Sequence, residues 1–230
     1  MNAKAEFSPL ALLLAGLRGE SHGEPAENPT RHAMVYTLIV LVGAGIYGAV
    51  VGSWRSPLQS LYVAVKLPVV LLLTACANAL LNALLAMAQG LNLGLRESFN
   101  AILMSFAMAS VILASFSPVL FFFLRTLRLT QESDFAYSVL LLSLVAVIAF
   151  SGAVANLRLL GLLKTISGNS RVAQRTMFAW LAGNLFLGAQ LCWISRPFIG
   201  SPSLPVEFFR SDALKGNFYE AVFHSLQRLF

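Results

Sequence analysis

Five continuous apolar stretches constrain the fold of this chain more than any other feature. They cover residues 33–53, 67–88, 99–124, 135–163 and 176–195. A helix needs about 20 mostly apolar residues to cross the hydrocarbon core of a bilayer, and all five stretches reach that length. None of them alternates between polar and apolar residues over about ten positions, as a strand of a membrane β-barrel does. The sequence therefore predicts an all-α, polytopic transmembrane helical bundle with five spans.

Composition supports the assignment to a membrane. Of the 230 residues, 57% are hydrophobic and 11% are charged, whereas a soluble domain carries about a quarter charged residues. So few charges cannot cover the surface of a water-soluble domain, which excludes soluble enzymes and disordered chains. The net charge of +6 comes from basic residues scattered singly between apolar stretches. That distribution indicates contact with lipid headgroups and predicts no nucleic-acid partner.

Three regions follow from this pattern. Residues 1–32 are expected to form a cytoplasmic segment with a short amphipathic helix at 7–17 and a linker. Residues 33–195 form the predicted transmembrane domain. Residues 196–230 are expected to be an extramembrane tail that ends in an amphipathic helix.

Two local patterns define helix ends. Residues 57–66 are apolar but end in Lys66, so we expect them to lie along the membrane surface before a second helix that has Pro68 in its first turn. In the tail, Asn217 and Glu220 have the spacing of a capping pair, which predicts that the terminal helix begins after Asn217.

The basic residues of the short loops set the expected orientation. The two sides of the membrane carry equal numbers of basic residues close to the spans. The segment 158–175, however, contains four basic and no acidic residues. We therefore expect this loop and the N-terminus in the cytoplasm and the C-terminus outside, in the cytoplasmic membrane of a bacterium.

Groups that could carry catalysis lie outside the membrane. All ten carboxylates and all three histidines fall outside the five apolar stretches. The sequence has no cluster with metal-ligand spacing, no nucleophile elbow and no phosphate-binding loop. We therefore expect no catalytic, cofactor or metal site and a protein that is not an enzyme.

Uncharged amides are the main polar groups within the apolar stretches. Asn78 and Asn82 are four residues apart and share one face of the second helix. These amides either line a polar pathway or form hydrogen bonds between helices, as such side chains do in other membrane bundles. The full set is Asn78, Asn82, Gln89, Asn156, Asn184 and Gln190.

Small residues follow a separate pattern in the first helix. Ala44, Gly48 and Gly52 are spaced four apart, which lets two helix backbones approach closely, either within the chain or between two copies of it. A glycine-lined pore is the alternative interpretation.

Basic side chains near the spans have two interpretations. They contact lipid headgroups or a partner protein, and those closest to the bilayer, Lys66 and Arg158, are expected to extend their charges to the membrane surface. The tail, with its mixture of charged and aromatic residues, is either a docking surface for another protein or a structural cap. The candidate contact residues are Arg158, Lys164, Arg171, Arg175, Arg196 and Arg210.

A family resemblance adds to this interpretation. The stretch 90–99, Gly-Leu-Asn-Leu-Gly-Leu-Arg-Glu-Ser-Phe, precedes an apolar run that reaches Ser117 and Pro118. It resembles the junction between the second and third helices of Yip1-like membrane proteins, and the likeness covers about residues 34–195. The segment 196–210 departs from that pattern and is similar to the tails of bacterial membrane proteins. The resemblance implies a membrane adaptor without catalysis, with partners in trafficking or membrane organisation.

Three functions remain open from the sequence. The first is a non-catalytic scaffold or accessory subunit of a membrane complex, with membrane lipids and other membrane proteins or a second copy as partners. The second is a small-solute or ion permease whose pathway is lined by the amides. The third is a lipid-binding protein that uses Arg158, Lys164, Arg171 and Arg175 at the headgroups.

Overall fold

The computed structural model describes residues 29–91, 93–127, 134–200, 205–211 and 213–227, and this part of the chain is helical without strands. The helices are α1 (Pro29–Gly52), α2 (Pro57–Ala88), α3 (Leu95–Leu127), α4 (Asp134–Ser167), α5 (Ser170–Ile194) and α6 (Phe218–Gln227). Helices α1 to α5 are each long and apolar enough to cross a membrane, which confirms the predicted fold class. The helix predicted at residues 7–17 lies outside the described residues.

Helix α2 begins earlier than predicted. The Ser56 hydroxyl accepts a hydrogen bond from the Gln59 backbone N–H at 3.0 Å, and Pro57 occupies the first turn. A serine cap followed by proline is a strong signal for a helix start. The expected surface segment at 57–66 is therefore wrong, because these residues form the first turns of α2 and Pro68 lies inside the helix.

Helices that follow each other in the sequence run in opposite directions. Gly52 of α1 lies beside Gln59 of α2, and Gly45 lies beside Ala64, so α1 and α2 are antiparallel. The N-termini of α1, α3 and α5 and the C-termini of α2 and α4 therefore share one end of the bundle, which we call the basic end. The tail lies at the opposite end, which we call the tail end.

The core runs the length of the bundle. Helix α2 contacts α1, α3 and α5, and α3 contacts α1, α2 and α4, so these two helices are central. Near the tail end, Tyr47 and Trp54 are buried against α2, α3 and α4. Near the basic end, Ile102, Leu159 and Trp180 form a second cluster. A third buried cluster joins α1 and α3 between them, and many of the remaining large apolar side chains are exposed on the helix surfaces, as expected of residues that face lipid.

The small residues of α1 lie against the backbone of α2. A Cβ atom placed on Gly48 would lie 2.5 Å from the Val63 carbonyl oxygen, and one on Gly52 would meet the Gln59 carbonyl oxygen. Ala44 is completely buried in the same row. The close approach of two backbones therefore occurs within the chain, and the backbone of α2 fills the space that a glycine-lined pore would need.

The tail folds back over the start of α2. The Gln59 side-chain amide donates hydrogen bonds to the carbonyl oxygens of Pro197 at 2.7 Å and Phe198 at 3.1 Å. The Lys66 ammonium group donates to the Pro197 carbonyl at 3.3 Å and lies 4.7 Å from the centre of the Phe208 ring. Lys66 is buried. The tail therefore covers Lys66, whose ammonium group points towards the tail end of the bundle.

A second set of contacts fixes the tail to the end of α5. The Trp193 indole N–H donates to the Lys215 carbonyl at 2.9 Å, and the Arg196 guanidinium lies 3.9 Å from the centre of the Trp193 ring. Helix α6 packs on α4 and α5, and the Asn217 side chain accepts the Glu220 backbone N–H at its start. The predicted terminal helix is confirmed, and the tail acts as a cap on the bundle.

Candidate functional site

Polar residues face each other where α2 packs antiparallel to α5. On α2 they are spaced four, four and seven apart, so they share one face. Four contacts define the register, from the tail end to the basic end: Thr74 with Gly188, Asn78 with Gly183, Asn82 with Trp180, and Gln89 with Thr176. We call these eight residues the polar seam.

The two faces of α2 explain why these polar groups point inward. The opposite face carries large exposed apolar side chains such as Leu73, Leu80 and Leu84, which the bilayer favours. On the α5 side, glycine allows close contact, because a Cβ atom on Gly183 would lie 3.3 Å from the Asn78 side-chain oxygen. Amphipathic patterning of α2 and a small residue on α5 therefore form the seam.

Asn78 and Asn82 are the central feature of the seam. Both residues are completely buried. The nitrogen and the oxygen of each side-chain amide have no hydrogen-bond partner within the described residues, and neither has the side-chain oxygen of Asn184, next to Gly183. A buried polar group without a partner costs about 1–3 kcal/mol. Four such atoms in two adjacent turns form a strongly hydrogen-bonding surface inside an apolar bundle.

Within the described residues, two hydrogen bonds connect α2 and α5 along the seam. The buried Trp180 indole N–H donates to the Asn82 backbone carbonyl at 2.8 Å. The Thr176 hydroxyl donates to the Gln89 side-chain oxygen at 3.4 Å. The amide groups of Asn78 and Asn82 take no part in either, so hydrogen bonding between helices does not account for their burial.

The seam meets an open groove at the basic end. This groove has a volume of about 420 Å³ and is lined by Ala88, Gln89, Val172 and Arg175. Gln89 belongs to both the groove and the seam. A small molecule in the groove would thus lie next to Gln89, at the end of the seam that is nearest the basic end.

The other predicted amides are only partly buried. Asn184 is half-buried beside Gly183, and Gln190 is half-buried further along α5. Asn156 is half-buried on α4. Sequence reasoning missed Thr176, Trp180 and Gly183. Their signal is the i, i+4, i+7 spacing on α5 together with an indole N–H, which needs a partner when it is buried.

Basic residues gather at the basic end. Arg158, Lys164, Arg171 and Arg175 are all exposed there, and the Arg96 guanidinium donates to the Thr30 hydroxyl. Of the candidate contact residues, Arg196 and Arg210 lie instead in the tail. Within the described residues no group of three His, Cys, Asp or Glu side chains could hold a metal ion.

No family model, no curated protein and no solved structure matches this chain. The resemblance to Yip1-like membrane proteins therefore stays a prediction.

Proposed function

We propose that the protein is a permease for small uncharged polar solutes, which bind in the polar seam as they cross the membrane. The complete burial of Asn78 and Asn82 without partners carries this proposal. A solute with its own hydrogen-bond donors and acceptors supplies the partners that the described residues do not.

The chemistry of the seam selects the solute class. A side-chain amide offers two donors and one acceptor oxygen, and it carries no charge. The eight seam residues contain no ionisable group, so a charged solute would lose its hydration without gaining a counter-charge. The buried Trp180 ring packs directly beside Asn82. Water, urea and glycerol have the size and the hydrogen-bonding groups that fit.

The packing of α5 allows a route to open. Of the 18 residues that form the most apolar part of α5, 11% are buried, whereas 44% are buried in the corresponding part of α2. Helix α5 is thus held by fewer buried contacts, and a small movement away from α2 costs less burial than any movement of α2 itself. Such a movement exposes the amides to the groove at the basic end.

The proposal is tested by solute flux into liposomes that contain the purified protein. Stopped-flow light scattering measures the change in liposome volume after mixing with a gradient of urea or glycerol, or with an osmotic gradient that drives water. We expect permeability for at least one of these solutes several-fold above that of protein-free liposomes. If the permeability for each of the three solutes equals that of protein-free liposomes, the proposal is contradicted.

A second function, that of an accessory subunit, is favoured by the outer surface of the tail. Leu214 is 83% exposed, and Phe209, next to Arg210 in the sequence, and Phe223 on α6 are also exposed. These residues lie outside the five long helices, and apolar and arginine side chains are enriched at protein interfaces. We propose that this surface contacts another membrane protein.

Co-purification tests the second function. After gentle detergent extraction and crosslinking, we expect a partner protein with the wild type, loss of the partner with Leu214→Asp, and retention with Ser211→Asp. The control adds the same charge on the same exposed segment without removing an apolar contact. Recovery of the wild type as a bare monomer would exclude this function.

We also propose that the basic end faces the cytoplasm of a bacterium. Arg158, Lys164, Arg171 and Arg175 flank the short connection between α4 and α5, and short cytoplasmic loops are enriched in such residues. A C-terminal reporter that is active only outside the cytoplasm should therefore be active. A silent reporter, with a cytoplasm-specific reporter active at the same position, would reverse the orientation.

A further inference from the structure

We infer that the groove at the basic end binds the headgroup of an anionic phospholipid, whose acyl chains follow the exposed side of α5. This inference does not depend on the polar seam. It combines a groove lined by one arginine, a second arginine one turn away, a mostly positive surrounding charge and an apolar track of the length of one bilayer leaflet.

The groove and its charges select the headgroup. Arg175 lines the groove, and Arg171 lies one turn earlier on the same exposed face of α5. An arginine guanidinium presents several N–H donors in a plane that matches a phosphate group. One guanidinium group in the groove and a second one a turn away on the same helix face therefore favour a phosphodiester that carries a net negative charge.

The surroundings add positive charge and almost no negative charge. Lys164 and Arg158 are exposed on the last turns of α4. Among the described side chains, Glu97 is the one carboxylate at this end, and its oxygen accepts the Gly94 backbone N–H at 3.0 Å. An anion thus meets attraction from several cations at the membrane surface, where each basic residue strengthens binding to anionic lipids.

An apolar track continues from the groove towards the membrane centre. Phe178 is 70% exposed, and Leu185 and Phe186 are exposed about two turns deeper on the same side of α5. On the α2 side, the Leu81 side chain packs directly against Gly183. These side chains form a continuous surface for an acyl chain.

The length of this track distinguishes a lipid from free phosphate. Ten residues separate Arg175 from Leu185, which corresponds to about 15 Å along a helix. This is half of the hydrocarbon thickness of about 30 Å, the depth of one leaflet. The basic groove and the apolar track therefore lie at the depths of the headgroup and the chains of a single phospholipid.

Native mass spectrometry of the full chain tests this inference. Delipidated protein in mild detergent is mixed with equal amounts of phosphatidylglycerol and phosphatidylcholine, and the bound lipids are counted. We expect the wild type to retain phosphatidylglycerol at least about tenfold over phosphatidylcholine. The Arg171→Gln, Arg175→Gln double variant should lose about tenfold in phosphatidylglycerol binding, because two cations near the phosphate are removed.

Matched variants separate the site from general charge effects. Arg125→Gln with Lys215→Gln removes the same charge from exposed positions at the tail end and should bind phosphatidylglycerol as the wild type does. Asn78→Leu should also bind it normally, so this test is independent of solute flux. Equal binding by the wild type and the double variant at the basic end would overturn the inference, and so would displacement of the lipid by millimolar inorganic phosphate.

Discussion

Replacing Gly52 by alanine is expected to destabilise the protein by about 1–3 kcal/mol, the usual cost of forcing extra volume into a packed site. A Cβ atom at this position would overlap the Gln59 carbonyl oxygen of α2. This oxygen belongs to the backbone and cannot rotate away, so α1 and α2 must separate. The effect should reach the tail, because the Gln59 side chain holds the Pro197 carbonyl.

This effect is measured by unfolding the protein in detergent with increasing denaturant and monitoring the loss of its helical circular-dichroism signal. Gly152→Ala and Gly161→Ala are matched controls, since both glycines lie within α4 with no atom within 4 Å of an added Cβ. There alanine should stabilise the helix by about 0.5–1 kcal/mol. If Gly52→Ala proves as stable as these controls, the close approach of α1 and α2 is wrong.

The Asn78→Leu, Asn82→Leu double variant is expected to abolish solute flux while leaving the protein folded and more stable. Leucine has the same branched arrangement of four side-chain heavy atoms as asparagine, and it removes four buried polar atoms that have no partner in the described residues. Removing each unpaired group should raise the free energy of unfolding by about 1–3 kcal/mol. The same change removes every donor and acceptor that the two side chains offer to a solute.

Flux and stability are measured on the same preparations. Ala77→Leu is the matched control, because Ala77 lies at the same depth of α2 but on its exposed face. It should conduct solute as the wild type does. A double variant that is more stable but conducts normally would show that the two asparagines lie outside the pathway.

The five spans could be predicted because the length of an apolar stretch alone decides whether a helix can cross a bilayer. The start of α2 was predicted wrongly, because the hydropathy of residues 57–66 and the charge of Lys66 pointed to a surface segment. The cap formed by Ser56 and Pro57 is the local signal that decides it. The burial of Lys66 depends on the tail, more than 130 residues away in the sequence, and no local pattern indicates that contact.

The seam shows the same division between local and long-range information. The shared face of Asn78 and Asn82 follows from their spacing, and the structure places both side chains inside the bundle. The partners on α5 depend on the register between two helices that are far apart in sequence. Trp180 and Gly183 could be placed opposite these asparagines only once the packing of α2 and α5 was known.

Solid-state NMR in lipid bilayers tests the central claim, that Asn78 and Asn82 hydrogen-bond a small polar solute. Protein labelled with ¹⁵N at asparagine side chains is equilibrated with ¹³C-urea and water, and magnetisation transfer to each amide nitrogen is recorded. We predict transfer to the Asn78 and Asn82 nitrogens, with each signal lost in the corresponding leucine variant. Transfer confined to asparagines exposed outside the seam, such as Asn169, would contradict a solute site between α2 and α5.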